Sequence, residues 1–179
     1  MTTIAVRDGV MASDSLETED ETVITDKCKK IWRLPDGSLL GAAKCSEDCW
    51  RLYDALRKKQ PIPKLDEVIA VRLYPSGKME LFEGNVWQPI TTPYYAIGNG
   101  SKYAWAAMDA GADAIKACRI GIKRDVYSGG RLQVLRLPQG KQKEREAVGR
   151  FVAEKGYLSR RHSKRRRRAR AAGTSRGGR

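Results

Sequence analysis

The chain has 179 residues, with 35 lysines and arginines against 21 acidic residues, and a formal net charge of +14. This length suits one domain with a sizeable core and leaves little room for a second. No apolar run reaches the roughly 18 residues of a membrane-spanning helix, and the N-terminus lacks the basic and then apolar pattern of a secretory signal. We therefore expect a cytoplasmic protein with no membrane partner.

Most of the excess positive charge lies at the C-terminus. Ten basic residues fall between residues 160 and 179, and no acidic residue follows Glu154. The first 159 residues have 25 basic and 21 acidic side chains, a net charge of only +4. We predict a globular domain over residues 1–140, a C-terminal helix within residues 141–158 and a disordered basic tail over residues 159–179.

Histidine and cysteine restrict the chemistry of the globular part. The single histidine, His162, lies in the basic tail. A Ser-His-Asp or Cys-His hydrolase needs an imidazole beside its nucleophile, so residues 1–140 cannot form one. The cysteines suit reduced thiols in a packed interior, and Cys45 and Cys49 lack the further ligands of a zinc site. We predict no metal and no other cofactor.

A β-hairpin is predicted at the start of the chain. Residues 3–7 and 10–13 flank Asp8-Gly9, a dipeptide favoured in two-residue turns. With that turn, Thr3 pairs with Asp14. The Asp14 carboxylate is therefore expected beside the N-terminus.

The remaining elements alternate strands with helices. We predict strands over residues 23–34, 38–43, 68–74, 78–82, 86–90 and 131–137, and helices from Ser46 onward, over residues 101–110 and over residues 112–122. Residues 16–22 are expected to form a loop, with Ser46 and Ser101 as helix caps. This order suits two packed antiparallel sheets with helices outside them.

The second residue has a chemical property of its own. Removal of Met1, which a small second residue permits, would give Thr2 both a hydroxyl and a free α-amine. An α-amine has a pKa of about 7.7–8.0, near enough to neutrality to take a proton from the hydroxyl. Threonine activated by its own N-terminal amine is an established type of nucleophile, and it needs no histidine.

Five motifs follow one another between residues 2 and 137. They are Thr2-Thr3-Ile4-Ala5-Val6, Asp8-Gly9-Val10-Met11-Ala12-Ser13-Asp14-Ser15, Lys29-Lys30-Ile31, Ala96-Ile97-Gly98-Asn99-Gly100-Ser101-Lys102-Tyr103-Ala104 and Arg124-Asp125-Val126-Tyr127-Ser128-Gly129-Gly130. Together, and in this order, they resemble proteasome β subunits and bacterial HslV peptidases. The resemblance implies an N-terminal-nucleophile hydrolase of the α+β class. Its fold would be a four-layer αββα sandwich of two antiparallel sheets flanked by helices, assembled as a homo-oligomeric ring.

The resemblance also implies roles for five residues. Thr2 matches the nucleophile, Lys30 the lysine beside it, and Asp14 the carboxylate that holds this lysine in place. An ammonium at Lys30 would favour deprotonation of the hydroxyl. Asp125 and Ser128 match polar residues that support the amine and its proton transfer.

Four more positions belong to the implied site. Gly129 would allow close approach of the backbone. Lys44 and Cys45 stand where the family usually has two glycines, one of which offers a backbone N–H to the oxyanion. Asn99 stands in place of a family serine, and its amide cannot relay a proton as a hydroxyl does.

These observations favour a threonine endopeptidase that cleaves unfolded polypeptide within a ring. The alternatives are a catalytically weak or inactive structural subunit, a small-molecule amidase of the same superfamily, and a nucleic-acid-binding protein that acts through its tail. The chain has no Gly-x-x-x-x-Gly-Lys-Ser/Thr motif. An ATPase unfoldase, if one feeds the ring, must therefore be a separate partner chain.

The basic tail generates a prediction of its own. The run Lys164-Arg165-Arg166-Arg167-Arg168 should attract nucleic acid or acidic protein surfaces without reading base sequence. Affinity for nucleic acid should therefore fall steeply in a salt titration and vanish on deletion of residues 159–179, with peptidase activity retained. Equal affinity in the full-length and truncated proteins would show that the tail is not the binding element.

Overall fold

The computed structural model describes residues 2–138, and the predicted C-terminal helix and basic tail lie outside this range. Within it the chain forms eleven strands and three helices. The strands are β1 (Thr3–Arg7), β2 (Val10–Ser13), β3 (Glu17–Glu19), β4 (Thr22–Thr25), β5 (Ile31–Arg33), β6 (Leu39–Lys44), β7 (Val68–Leu73), β8 (Met79–Glu83), β9 (Val86–Ile90), β10 (Tyr94–Gly98) and β11 (Gln133–Arg136). The helices are α1 (Ser46–Lys58), α2 (Ser101–Asp109) and α3 (Ala114–Arg124).

Two antiparallel sheets form the middle of the fold. One has the strand order β10-β1-β2-β11, and the other has the order β5-β6-β7-β8-β9. Apolar side chains from both sheets fill the space between them, among them the fully buried Ile4, Met11, Leu39 and Val71. Each such side chain contributes about 1.5–3 kcal/mol by leaving water, so this layer holds the sheets together.

Helices cover the outer face of each sheet. Helices α2 and α3 pack on the first sheet through small residues such as Ala104 and Ala117, and α1 packs on the second through Leu52. The layer order is helix, sheet, sheet, helix, which confirms the predicted αββα sandwich. None of the three helices is long and apolar enough to span a membrane.

The first hairpin has the predicted register. Asp8 and Gly9 both have positive φ, 50° and 76°, as a two-residue turn of this kind requires. Ile4 pairs with Ser13 across the hairpin, and Asp14 donates its backbone N–H to the Thr3 carbonyl at 3.1 Å. The turn therefore places Asp14 beside the start of the chain.

The segment between this hairpin and β6 differs from the prediction. Residues 16–22 contain a strand, β3, which pairs with β4 in a separate two-stranded sheet. The predicted strand over residues 23–34 is divided into β4 and β5, and only β5 pairs with β6. The apolar start of the predicted strand, Val23 and Ile24, is 60% and 56% exposed and covers no core. The chain leaves β4 and enters the second sheet only at β5. Strand β10 was not predicted.

Two predicted helix caps are also wrong. Ser46 and Ser101 are the first helical residues, and Cys45 and Gly100 occupy the cap positions without a side-chain hydrogen bond to the helix. The Ser46 hydroxyl donates instead to Glu17 on β3. Helix α3 begins two residues later than predicted.

Candidate active site

The Asp14 carboxylate lies at the centre of the predicted site and is fully buried. Its Oδ1 accepts the backbone N–H of Thr3 at 2.9 Å. Its Oδ2 accepts the N–H groups of Leu16 and Gly129 at 3.3 and 3.2 Å. The Lys30 ammonium lies 3.1 Å from both oxygens. A carboxylate removed from water needs such a set of donors, and these come from four segments of the chain.

Lys30 is as enclosed as its partner. Only 5% of the residue is exposed, and its Nζ also donates to the Leu16 carbonyl at 2.5 Å. Its own carbonyl accepts the N–H of Ala42 at 3.1 Å, which ties the residue to β6. Removing one member of a buried ion pair typically costs about 3–5 kcal/mol, because the other is left charged and unpaired.

Ser128 and Asp125 reach the site through the side chain of Thr3. The Ser128 hydroxyl donates to Asp125 Oδ2 at 2.6 Å and lies 2.7 Å from Thr3 Oγ1. The structure thus brings both residues to the predicted site. Their hydrogen bonds reach Thr3, a residue that was not predicted to belong to it.

Thr2 lies at the head of β1 and is 5% exposed. Its carbonyl accepts the N–H of Gly100 at 3.4 Å. Gly98 has a φ of +90°, and a Cβ there would overlap the Thr2 carbonyl, so this position requires glycine. The segment between β10 and α2 therefore contacts Thr2 through its main chain.

Two cavities meet at Thr2. The smaller has a volume of about 240 Å³ and is lined by Lys30, Lys44 and an apolar wall that includes Trp32 and Cys49. Trp32 stacks on Tyr53 of α1 at a centroid distance of 5.1 Å, which makes this wall rigid.

The larger cavity shares Thr2 and Lys44 with the smaller one and has a volume of about 1020 Å³. Cys45 and Asn99 also contribute to its wall. Five carboxylate side chains line it: Glu17, Glu19, Glu47, Asp66 and Glu67. None of them forms an ion pair with another residue in the described part of the chain. The cavity is therefore negatively charged and attracts cationic groups.

No family model matches the chain, and no curated protein matches it. Solved structures do. Eukaryotic HslV from Trypanosoma brucei has 20% identity and a TM-score of 0.56, over 75% of this chain and 97% of the other. Thiobacillus denitrificans BPH, in complex with epoxomicin and in a second structure, has 21% identity and a TM-score of 0.57, over 76% and 98%. The chain has the HslV-type fold.

Within this HslV-type fold, the end of β6 has an unusual backbone. Lys44 has a φ of +89°, a backbone conformation that residues other than glycine rarely adopt. Cys45 donates its N–H to the Glu67 carbonyl at 3.0 Å, so that group is already used in the sheet. The chain thus keeps a glycine-like backbone at Lys44 with a long side chain on it.

Three cysteines, Cys28, Cys49 and Cys118, are poor nucleophiles at neutral pH. Burial raises the pKa of the Cys49 thiol to about 12 and that of Cys118 far above its usual range. Burial and the nearby Glu17 carboxylate also raise the pKa of Cys28. A protonated thiol is unreactive, so these three do not compete with a hydroxyl nucleophile. Within residues 2–138, no group of three His, Cys, Asp or Glu side chains is arranged to hold a metal.

The backbone at Lys44 yields a stability prediction. Lys44→Gly should raise the free energy of unfolding by about 1 kcal/mol, because glycine adopts positive φ without a steric penalty. Lys44→Ala removes the long side chain but keeps the backbone strain, so its free energy of unfolding should equal that of wild type. Urea denaturation of the three proteins makes the comparison. Equal stability of the glycine and alanine variants would show that Lys44 is not strained.

Proposed function

We propose that this protein is a threonine-type endopeptidase, with Thr2 as its N-terminal nucleophile once Met1 has been removed. The observation that carries the proposal is the buried Asp14–Lys30 ion pair beside the cavity that Thr2 lines. A lysine and a carboxylate seldom leave water together without a task, since their desolvation offsets most of the attraction between them.

The proposed chemistry uses the α-amine as the base. The amine takes the proton from Thr2 Oγ1 as this oxygen attacks the carbonyl carbon of the peptide bond. The proton then passes to the leaving nitrogen as the C–N bond breaks, which leaves an ester on Thr2. Water, deprotonated by the same amine, hydrolyses the ester and restores the hydroxyl.

Lys30 and the backbone at Lys44 have complementary proposed roles. The Lys30 ammonium favours the developing negative charge on the hydroxyl, and Asp14 keeps that ammonium in place. The N–H of Lys44 is the proposed oxyanion donor, because the neighbouring N–H of Cys45 is bonded to Glu67. Asn99, on the wall of the larger cavity, is a proposed contact for the substrate main chain.

The comparison with BPH supports the choice of probe. BPH was solved in complex with epoxomicin, a peptide epoxyketone, and shares the fold of this chain. We propose that Thr2 reacts with the same class of electrophile. An inactive structural subunit would not react, and a small-molecule amidase would react without cleaving polypeptides.

Assembly and partners follow from the same proposal. A homo-oligomeric ring would enclose the site and restrict it to unfolded polypeptide, with a separate ATPase as a candidate unfoldase. Large apolar side chains are exposed for contacts of this kind, among them Val23, Ile24 and Val126.

Removal of the Thr2 hydroxyl tests the nucleophile. Intact-mass spectrometry should show a chain without Met1 that gains one inhibitor mass on treatment with a peptide epoxyketone. Thr2→Ala should abolish both this gain and peptide hydrolysis, with the thermal midpoint unchanged. Thr91→Ala, at an exposed position, serves as the control and should behave like wild type. Activity in a chain that retains Met1 would refute the mechanism, because the base would be blocked.

Substitution of Lys30 tests the ion pair. Lys30→Ala should lower kcat by more than tenfold, and Lys30→Arg should not restore it, because a guanidinium has a different shape and does not readily release a proton. Both variants need a measured thermal midpoint, with kinetics taken well below it, because Asp14 loses its counter-charge. Lys27→Ala removes an exposed lysine nearby and should have no effect. Wild-type turnover in Lys30→Ala would remove Lys30 from the mechanism.

A further inference from the structure

We propose that Thr3 is a positioning residue, whose hydroxyl holds the start of β1 in the orientation that Thr2 needs for catalysis. The inference rests on the proposed function and concerns a residue that has no reacting group of its own.

Every polar group of Thr3 is engaged, and the residue is fully buried. Its N–H donates to Asp14 Oδ1 at 2.9 Å. Its carbonyl accepts the N–H of Asp14 at 3.1 Å and faces the Cys118 thiol at 3.6 Å. Its hydroxyl lies 2.7 Å from Ser128 Oγ. Thr3 is thus bound to Asp14 through its main chain and to Ser128 through its side chain.

The direction of the hydroxyl bonds follows from the number of protons. The single hydroxyl proton of Ser128 points to the Asp125 carboxylate at 2.6 Å. Thr3 must therefore donate its own hydroxyl proton to Ser128. The two hydrogen bonds form a chain from Thr3 through Ser128 to the Asp125 carboxylate, and the negative charge at its end strengthens both bonds.

These two bonds belong to a closed set of hydrogen bonds. Gly129, the residue after Ser128, donates its N–H to Asp14 Oδ2 at 3.2 Å. The segment around Ser128 therefore contacts Thr3 through one hydroxyl and Asp14 through one N–H, while Thr3 and Asp14 are bonded to each other. Movement of Thr3 would disturb the carboxylate that holds Lys30.

The surroundings of Thr3 match both branches of its side chain. A Cβ on Gly100 would overlap Thr3 Oγ1, and a Cβ on Gly121 of α3 would lie 2.6 Å from Thr3 Cγ2. A β-branched side chain enclosed in this way keeps one rotamer. Valine keeps the branched shape without the hydroxyl, but its methyl group needs more room beside Ser128 Oγ than the 2.7 Å hydrogen bond leaves. Serine keeps the hydroxyl without the methyl group.

Catalysis by Thr2 is sensitive to its position, which Thr3 helps to fix. A displacement of about 1 Å can cost a reaction about a hundredfold in rate. Loss of the Thr3 hydrogen bond loosens the strand without altering either cavity. The expected effect is a fall of about tenfold in kcat with little change in KM.

The test compares Thr3→Val with Thr3→Ser in the full chain. Thr3→Val should lower kcat and the rate of epoxyketone labelling by about tenfold, with KM within twofold of wild type. For Thr3→Ser, kcat, KM and the rate of epoxyketone labelling should all stay within threefold of wild type. Ser128→Ala removes the acceptor and also the bond to Asp125, so it should lower kcat at least as far as Thr3→Val. Wild-type kcat in Ser128→Ala would overturn the role of the Thr3 hydroxyl even if the valine variant folds poorly. The matched control is Ser13→Ala, since the buried Ser13 hydroxyl has no hydrogen-bond partner within residues 2–138.

Each outcome decides between the hypotheses. The double variant should lose no more kcat than Ser128→Ala alone, because both substitutions remove the hydrogen bond between Thr3 and Ser128. Wild-type kcat in Thr3→Val, full additivity, or equal losses in the valine and serine variants would overturn the role of the hydroxyl while Thr2 remains the nucleophile. Wild-type turnover in Thr2→Ala, or a wild-type protein with neither turnover nor labelling, would overturn the proposed function and this inference together.

Discussion

The buried Asp14 carboxylate imposes the strongest physical constraint on this fold. A charge without solvent is tolerated only where donors surround it, and here the donors are Thr3, Leu16, Lys30 and Gly129. They come from β1, from the segment after β2, from the approach to β5 and from the loop after α3. The two sheets and that loop must therefore all be in place before the charge is satisfied. The local structure of the site is thus inseparable from the closure of the sandwich.

The position of the Asp14 carboxylate depends on the two-residue turn formed by Asp8 and Gly9. A shift of one residue in the hairpin would exchange the two faces of β2, and Asp14 would no longer lie opposite Thr3. Asp8 and Gly9, both at positive φ, exclude such a shift because they fit a two-residue loop. The packing of Ile4 and Met11 between the sheets opposes it as well. Turn chemistry and core packing thus specify the same register.

Local signals in the sequence predicted local structure well. The Asp8-Gly9 turn gave the correct hairpin, and helix α1 begins at Ser46 as predicted. The single strand predicted over residues 23–34 is two strands, because the sequence does not show that Val23 and Ile24 stay exposed. The importance of Thr3 was missed for a related reason, since its partner Ser128 lies 125 positions away. The two glycines that enclose Thr3 were a signal of close approach, but the sequence does not show what approaches them. The roles of the predicted site residues in catalysis stay predictions.

A nucleophile at the chain terminus faces a mechanical problem that an internal serine or cysteine does not. The proposed chemistry needs both the hydroxyl and the amine of Thr2, so neither can serve as an anchor, and no residue remains before it to hold the strand. Only its carbonyl is available, and this accepts one long hydrogen bond of 3.4 Å from Gly100. The anchoring must therefore pass to the next residue, where the N–H, carbonyl and hydroxyl of Thr3 are all engaged. If Thr2 carries both reacting groups as proposed, Thr3 is the first residue that can fix the position of the strand, and its hydrogen bonds do so.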